Sequence, residues 1–158
     1  NVKCLKFKVP KIKVFYQREL SAMAAEYKIF PIGFVLKEKE TVRIEIDAEY
    51  TDALLGLDGF SHINVFYWFH QNDTPENRRV LQVHPRRDQK NPRTGVFATH
   101  SPLRPNLMAC TLCKILSIKE NTITTDDIDA LDGSPVIDIK CYIPSTRSFS
   151  DLRLPDWV

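Results

Sequence analysis

Ile63-Asn64-Val65-Phe66-Tyr67-Trp68-Phe69 decides the fold class. The run is aromatic and β-branched, and it is apolar at both parities. A strand of that kind must be covered on both sides, so it belongs at the centre of the structure. Working outward, Val42, Ile44 and Ile46 alternate with Arg43 and Glu45, the signature of a half-buried strand, and Ile29–Leu36 reads as another strand. Asp52–Leu57 suits a helical turn before the Asp58-Gly59 turn. Downstream, Val96–Thr99 reads as a short strand, and Leu112–Ile118 and Asn121–Asp127 as hairpin partners around Lys119-Glu120-Asn121. Asp132-Gly133 marks a further turn before a strand over Val136–Ile143. Such short strands between frequent turns predict an all-β sandwich or barrel. Residues 71–93, with Pro75, Pro85 and Pro92, read as a long polar loop, the kind that carries function. At the amino terminus, residues 2–9 suit an edge strand stopped by Pro10, and 18–28 a short helix with Leu20, Met23 and Tyr27 on one face.

The whole chain has 158 residues, 43% of them hydrophobic, with 22 basic and 20 acidic side chains. That length predicts one domain, two at most, with a real core. No apolar run is long enough to span a membrane as a helix, and no apolar stretch follows the basic start, so neither a membrane span nor a secretory signal is expected. Four cysteines are too few for a disulfide scaffold, and a cytoplasmic location is expected. The net charge of +2 argues superficially against a nucleic acid partner. Its distribution argues otherwise. Lys3, Lys6, Lys8, Lys11, Lys13 and Arg18 form one basic run, and Arg78, Arg79, Arg86, Arg87, Lys90 and Arg93 another. Residues 120–138 reverse the sign through Glu120, Asp126, Asp127, Asp129, Asp132 and Asp138. Each run by itself suits a solvated face, but together they leave a polyanion such as RNA open as a partner.

Among motifs, Cys110 and Cys113 form a Cys-x-x-Cys without a second ligand pair, so buried thiols are expected and no metal. There is no Gly-x-Gly-x-x-Gly, phosphate loop, His-Glu-x-x-His or Gly-x-Ser-x-Gly, which leaves nucleotide-binding α/β folds and common hydrolases unsupported. His62 and His70 share parity along the central strand, and His70 with Gln71 stands at the strand mouth. The stretch Gly95–Met108 leads a hydrophobic strand into a loop bearing His100, Arg104 and Asn106, stiffened by Pro102 and Pro105. That loop suits either a rigid crossover or a presented arginine and amide.

Pro31-Ile32-Gly33, Gly56–Gln71, Val83–Arg86, Asn91–Asn106 and Asp129–Pro144 together resemble the TrmO (TsaA-like) family, over about residues 29–158. The resemblance implies a single β-barrel domain over 29–158 behind a basic extension over 1–28. It also implies an S-adenosylmethionine-dependent methyltransferase that works as a homodimer on N6 of threonylcarbamoyladenosine beside the tRNA anticodon. By matched position the cofactor contacts are His70, Gln71, His100, Leu112, Asp129, Ala130, Leu131 and Asp132, and no metal is implied. Arg104 and Asn106, from the family's arginine-proline-asparagine signature, and Asp132 are the catalytic candidates. Arg78, Arg79, Arg86, Arg87 and Arg93 are the expected RNA contacts. Three departures mark this chain: His100 stands where the family commonly has arginine, Leu107-Met108-Ala109 replaces proline-isoleucine-glycine, and the loop after Gly33 is cut to Leu36–Glu40. Two other classes remain open from sequence: a non-catalytic RNA-binding barrel, and a methyltransferase for a different RNA or small-molecule acceptor.

Overall fold

The computed structural model describes residues 27–39, 41–144 and 153–158. The expected amino-terminal strand over 2–9, and all but the end of the expected helix over 18–28, lie outside them. The strands are β1 (Gly33–Glu38), β2 (Thr41–Ile46), β3 (His62–Trp68), β4 (Gln82–Val83), β5 (Thr94–Gly95), β6 (Met108–Lys119), β7 (Thr122–Thr125) and β8 (Pro135–Cys141). Six of them close a barrel in the order β1-β2-β7-β6-β3-β8, every neighbouring pair antiparallel, while β4 and β5 form a separate two-stranded ribbon. The fold is all-β and the barrel alternative holds. Closure satisfies edges that an open sheet would leave unpaired, and a barrel this small is filled by side chains.

The filling follows the alternation. Val42, Ile44 and Ile46 of β2, Ile63, Val65 and Tyr67 of β3, and Val35, Cys113, Ile123 and Val136 from the remaining strands are all at most 6% exposed. At the β6–β7 turn Glu120 takes a left-handed conformation, and Asn121 exchanges bonds with Ile46, its Nδ2 donating to the Ile46 carbonyl at 2.7 Å.

Four expectations change. The central strand β3 is not covered by apolar groups on both faces. Its outer residues are half-buried, with the Lys140 ammonium 5.7 Å from the Phe66 ring centre and the Arg78 guanidinium 5.3 Å from that of Trp68. Cationic side chains shield the aromatic faces that a second layer would otherwise cover. The first strand starts at Gly33 and not Ile29, because Pro31 has no amide to donate and the ladder bonds begin with Ile32 N to the Val136 carbonyl at 2.8 Å. Residues 71–93 are no featureless loop. They carry a turn at His70–Asn72, helix α1 (Pro75–Arg78) capped by the Thr74 hydroxyl, strand β4 and a turn at Pro85–Arg87. Val96–Ala98 is a tight helical turn where a strand was expected. Both the amide and the hydroxyl of Thr99 donate to the Val96 carbonyl, and the buried Val96 is anchored by its own amide on Leu81.

Chain direction sets where function is placed. The ends of β1, β3 and β7 and the starts of β2, β6 and β8 meet at one mouth. That mouth therefore receives the short β1–β2 connection, the long arm over 69–107 and the turn over 126–134. Gly33 lets β1 pass close against β2, since a Cβ there would lie 2.1 Å from the Glu45 carbonyl oxygen. Gly33→Ala should destabilise the barrel by about 3 kcal/mol, the upper range for forced overpacking, read as a lowered urea midpoint.

Candidate functional site at the barrel mouth

The turn over 128–134 is pinned from below. Ile128, Ala130 and Ser134 are buried, while Asp129, Leu131 and Asp132 stay exposed. Tyr67 Oη at the end of β3 donates to the Asp129 carbonyl and lies 3.2 Å from Thr111 Oγ1 of β6. Burial together with the nearby Asp129 carboxylate pushes the Tyr67 phenol up, so it stays a protonated donor. From β1, the Lys37 backbone N–H donates to Asp132 Oδ1 at 2.8 Å and its ammonium to the Ile128 carbonyl at 2.6 Å. Gly133, at φ 73°, donates its amide to the Val35 carbonyl at 2.8 Å, a left-handed turn that glycine adopts readily.

His70 joins this turn. The strand stops at Trp68, so the parity that grouped His70 with His62 no longer applies. His62 Nδ1 lies 2.8 Å from Ser61 Oγ, whereas His70 Nδ1 lies 3.3 Å from Ser134 Oγ. The mouth thus gathers an imidazole, the exposed Gln71 amide beside it, and two carboxylates held on a fixed turn. Leu112 is apart from this group. It is 48% exposed on the outer face of β6, opposite Asn64. Cys110 and Cys113 are three residues apart on a strand and therefore face opposite ways, Cys110 exposed and Cys113 buried, so only one of the two expected buried thiols is buried. Burial, with Asp126 and Asp127 nearby, pushes the Cys113 thiol up to about 12, which makes it inert.

The arm divides the predicted arginines. Arg78 is half-buried and committed to the protein: Nε donates to Asp73 Oδ1 at 2.8 Å, Nη2 to Asp73 Oδ2 at 3.0 Å, and Nη1 to the Pro105 carbonyl at 3.1 Å. Trp68 Nε1 donates to the same Asp73 carboxylate at 3.0 Å. One guanidinium therefore ties the end of β3 to the half-buried Arg104-Pro105 pair, with Asn106 exposed beyond it. Leu107, one of the departures, is fully buried, and its carbonyl accepts the Phe69 amide at 2.8 Å. Arg79, Arg86, Arg87 and Arg93 are exposed, as is His100. Arg86 and Arg87 are both left-handed, at φ 56° and 60°, a conformation that disfavours non-glycine residues by about 1 kcal/mol or more each. The surrounding loop holds them there. The His84 ring N–H donates to the Asn91 carbonyl at 2.8 Å, and Asn91 Nδ2 to the Pro85 carbonyl at 3.0 Å. Sequence reading missed Tyr67, Lys37, Ser134 and the Asp73–Arg78 clamp. Tyr67 is hidden in an apolar run, and the other contacts join residues far apart or depend on a bend.

A closed barrel whose mouth collects polar side chains over a fixed turn has the convergent polar groups of a small-molecule-binding class. Its family follows from comparison: the tRNA-methyltransferase O N-terminal domain matches residues 21–148, and the chain belongs to this TrmO family. That match begins ahead of residue 29. A probable S-adenosyl-L-methionine-binding protein of Pyrococcus horikoshii is 48% identical over 116 residues, covering 73% of this chain and 82% of that protein. The tRNA (adenine(37)-N6)-methyltransferase of Escherichia coli is 39% identical over 104 residues, 63% of this chain and 43% of that protein. Crystallised TrmO from Pseudomonas aeruginosa superposes with a TM-score of 0.61 at 25% identity, covering 82% of this chain. The chain spans 62% of that solved chain.

The clamp is testable through pH. Hydrogen bonds from Arg78 and then Trp68 hold the Asp73 carboxyl below its ordinary range. A depressed folded value means that its stabilisation is present above the unfolded value of about 3.9 and is lost as pH falls through the folded one. The melting-temperature deficit of Asp73→Asn should be constant near neutrality and shrink below about pH 4. Arg78→Lys, which lacks the planar fork, should behave like Asp73→Asn near neutrality.

Proposed function

We propose that this chain is an S-adenosylmethionine-dependent tRNA methyltransferase, acting on N6 of threonylcarbamoyladenosine beside the anticodon. The observation that carries the reading is the pinned turn, which presents two exposed carboxylates beside His70. The fit to the cofactor rests on charge: a sulfonium cation suits a mouth with Asp129 and Asp132 on its rim, and Leu131, 54% exposed, adds an apolar wall. His70, Gln71 and the Asp129-Ala130-Leu131-Asp132 turn would hold it.

When bound, the cofactor supplies an already activated methyl group. That group would pass to N6, which must give up its proton. A urea-like N6 is a poor nucleophile, so the chain's task is alignment and proton removal. Asp132 suits the second role. Its Oδ1 is held by Lys37, which fixes the direction of the other oxygen. His70 is the second candidate, since Ser134 engages Nδ1 and leaves Nε2 as the ring's other polar atom. Arg104 suits a phosphate or carboxylate of the substrate, and Arg79 and Arg93 the tRNA backbone. A cytoplasmic homodimer completes the reading. Leu112 and Leu116, 48% and 57% accessible on the outer face of β6 with Lys114 between them, are apolar groups that a second copy would cover.

Calorimetry with S-adenosylmethionine followed by labelled methyl transfer to bulk tRNA tests the proposal, and a protein that binds neither ligand refutes it. Asp132→Ala and His70→Ala should each weaken cofactor binding about tenfold or more, about 1.4 kcal/mol. An Arg79→Ala/Arg93→Ala protein should show a log–log salt slope of tRNA binding shallower by about 1.4, as expected for two fewer contacts to single-stranded phosphates. An unaltered slope would locate the RNA on another face.

A further inference from the structure

The arm carries a second feature, which shares only His100 with the matched cofactor contacts. A cavity of about 940 Å³ opens between the arm, the loop over 98–103 and the carboxy-terminal segment ending in Trp157-Val158. Its walls combine apolar groups with Arg86, Arg87, His84 and His100, and among the described residues no acidic side chain lines it. We infer that this cavity is the acceptor pocket: it receives a purine whose N6 substituent ends in a carboxylate, with Arg86 and Arg87 on the carboxylate and Trp157 on the ring. The inference rests on the methyltransferase reading and deepens it.

Three observations carry it. First, the cavity adjoins the donor site. Asn72 lines it and belongs to the same turn as His70 and Gln71, and His100, at a matched cofactor position, lines it too. Methyl transfer requires donor and acceptor to meet, so an acceptor pocket must touch the donor's residues. Second, Arg86 and Arg87 are held in consecutive left-handed conformations. The His84–Asn91 and Asn91–Pro85 hydrogen bonds hold the backbone there, and Pro85 is buried beneath it. Such bracing fixes the backbone from which the two exposed arginine side chains project, and planar forks suit a carboxylate. Third, Trp157 is half-buried and lines the cavity, and it borders a smaller pocket together with Asn91 and Pro92 of that braced loop. An indole in that position offers a stacking surface for an unpaired base. Phosphate alone would use the arginines and leave the aromatic and apolar walls idle.

The test uses the whole chain and three anticodon stem-loop RNAs: one with N6-threonylcarbamoyladenosine, one with its methyl ester, and one with plain adenosine. Binding of the corresponding nucleosides is followed in parallel by quenching of tryptophan fluorescence, with Trp157→Phe to assign the signal. The wild type should prefer the free carboxylate at least tenfold over the ester in both kcat/KM and nucleoside affinity. Arg86→Met/Arg87→Met should abolish that preference while keeping the melting temperature and the S-adenosylmethionine affinity. Trp157→Phe should remove the quenching. Methyl transfer that proceeds equally well on the ester and the free carboxylate, or a preference surviving in the double variant, overturns the pocket and leaves the methyltransferase reading standing. Carboxylate-dependent quenching without methyl transfer to any RNA supports the pocket and overturns that reading instead. Absence of quenching by any of the nucleosides overturns the pocket outright.

Discussion

The seam between β1 and β8 is the constraint on which the rest of the molecule depends. It is the narrowest pairing in the barrel, with Gly33 opposite Val136 and Phe34 opposite Pro135. Amides of Ile32, Val35 and Gly133 add bonds of 2.8, 2.9 and 2.8 Å across it. On its other side β1 passes so close to β2 that only a residue without a side chain fits at Gly33, against the Glu45 carbonyl. Closing the barrel at the seam brings Val35 and Lys37 under the turn over 128–134. The same bonds that complete the cylinder therefore aim Asp129 and Asp132 outward at the mouth. Fold closure and site geometry are one construction.

Charge is arranged around that mouth in two fields of opposite sign. The turn offers exposed carboxylates, and the cavity in the arm has, among the described residues, cationic side chains and no acidic ones. A near-neutral total is the sum of these, and it describes neither. Separated fields suit a reaction in which a cation and a polyanion must be held side by side, since each attracts one ligand and repels the other. Arg78 stands outside this division. Its charge is spent on Asp73, the Pro105 carbonyl and the Trp68 ring, where it holds the two halves of the arm together.

Much of the barrel was legible because alternation is a local property. Val42, Ile44 and Ile46 announce an inward face, and the Lys119-Glu120-Asn121 and Asp132-Gly133 turns lie where the residues suggest. The errors have physical causes. Ile29 and Phe30 are apolar enough for a strand, yet Pro31 interrupts the donors, and both remain exposed. Val96–Ala98 has strand-like composition, but the Thr99 hydroxyl and amide fold back on the Val96 carbonyl and tighten it into a turn. The outer face of β3 is aromatic without being sealed, because Arg78 and Lys140 cover its rings, and such pairing has no period in the sequence.

The candidate site was legible as a set of residue types and family blocks, and illegible as an arrangement. By itself the sequence determined the all-β class, the segregation of basic and acidic runs, and the likeness to TrmO proteins, all of which depend on neighbouring residues or on their order. Only the tertiary structure decided that Asp132 is held by Lys37, that His70 faces Ser134 and not the face of His62, and that Arg78 bonds Asp73 and the Pro105 carbonyl while Arg86 and Arg87 line a cavity. Those outcomes depend on bonds between residues up to 95 positions apart, and on backbone bends that no local pattern encodes.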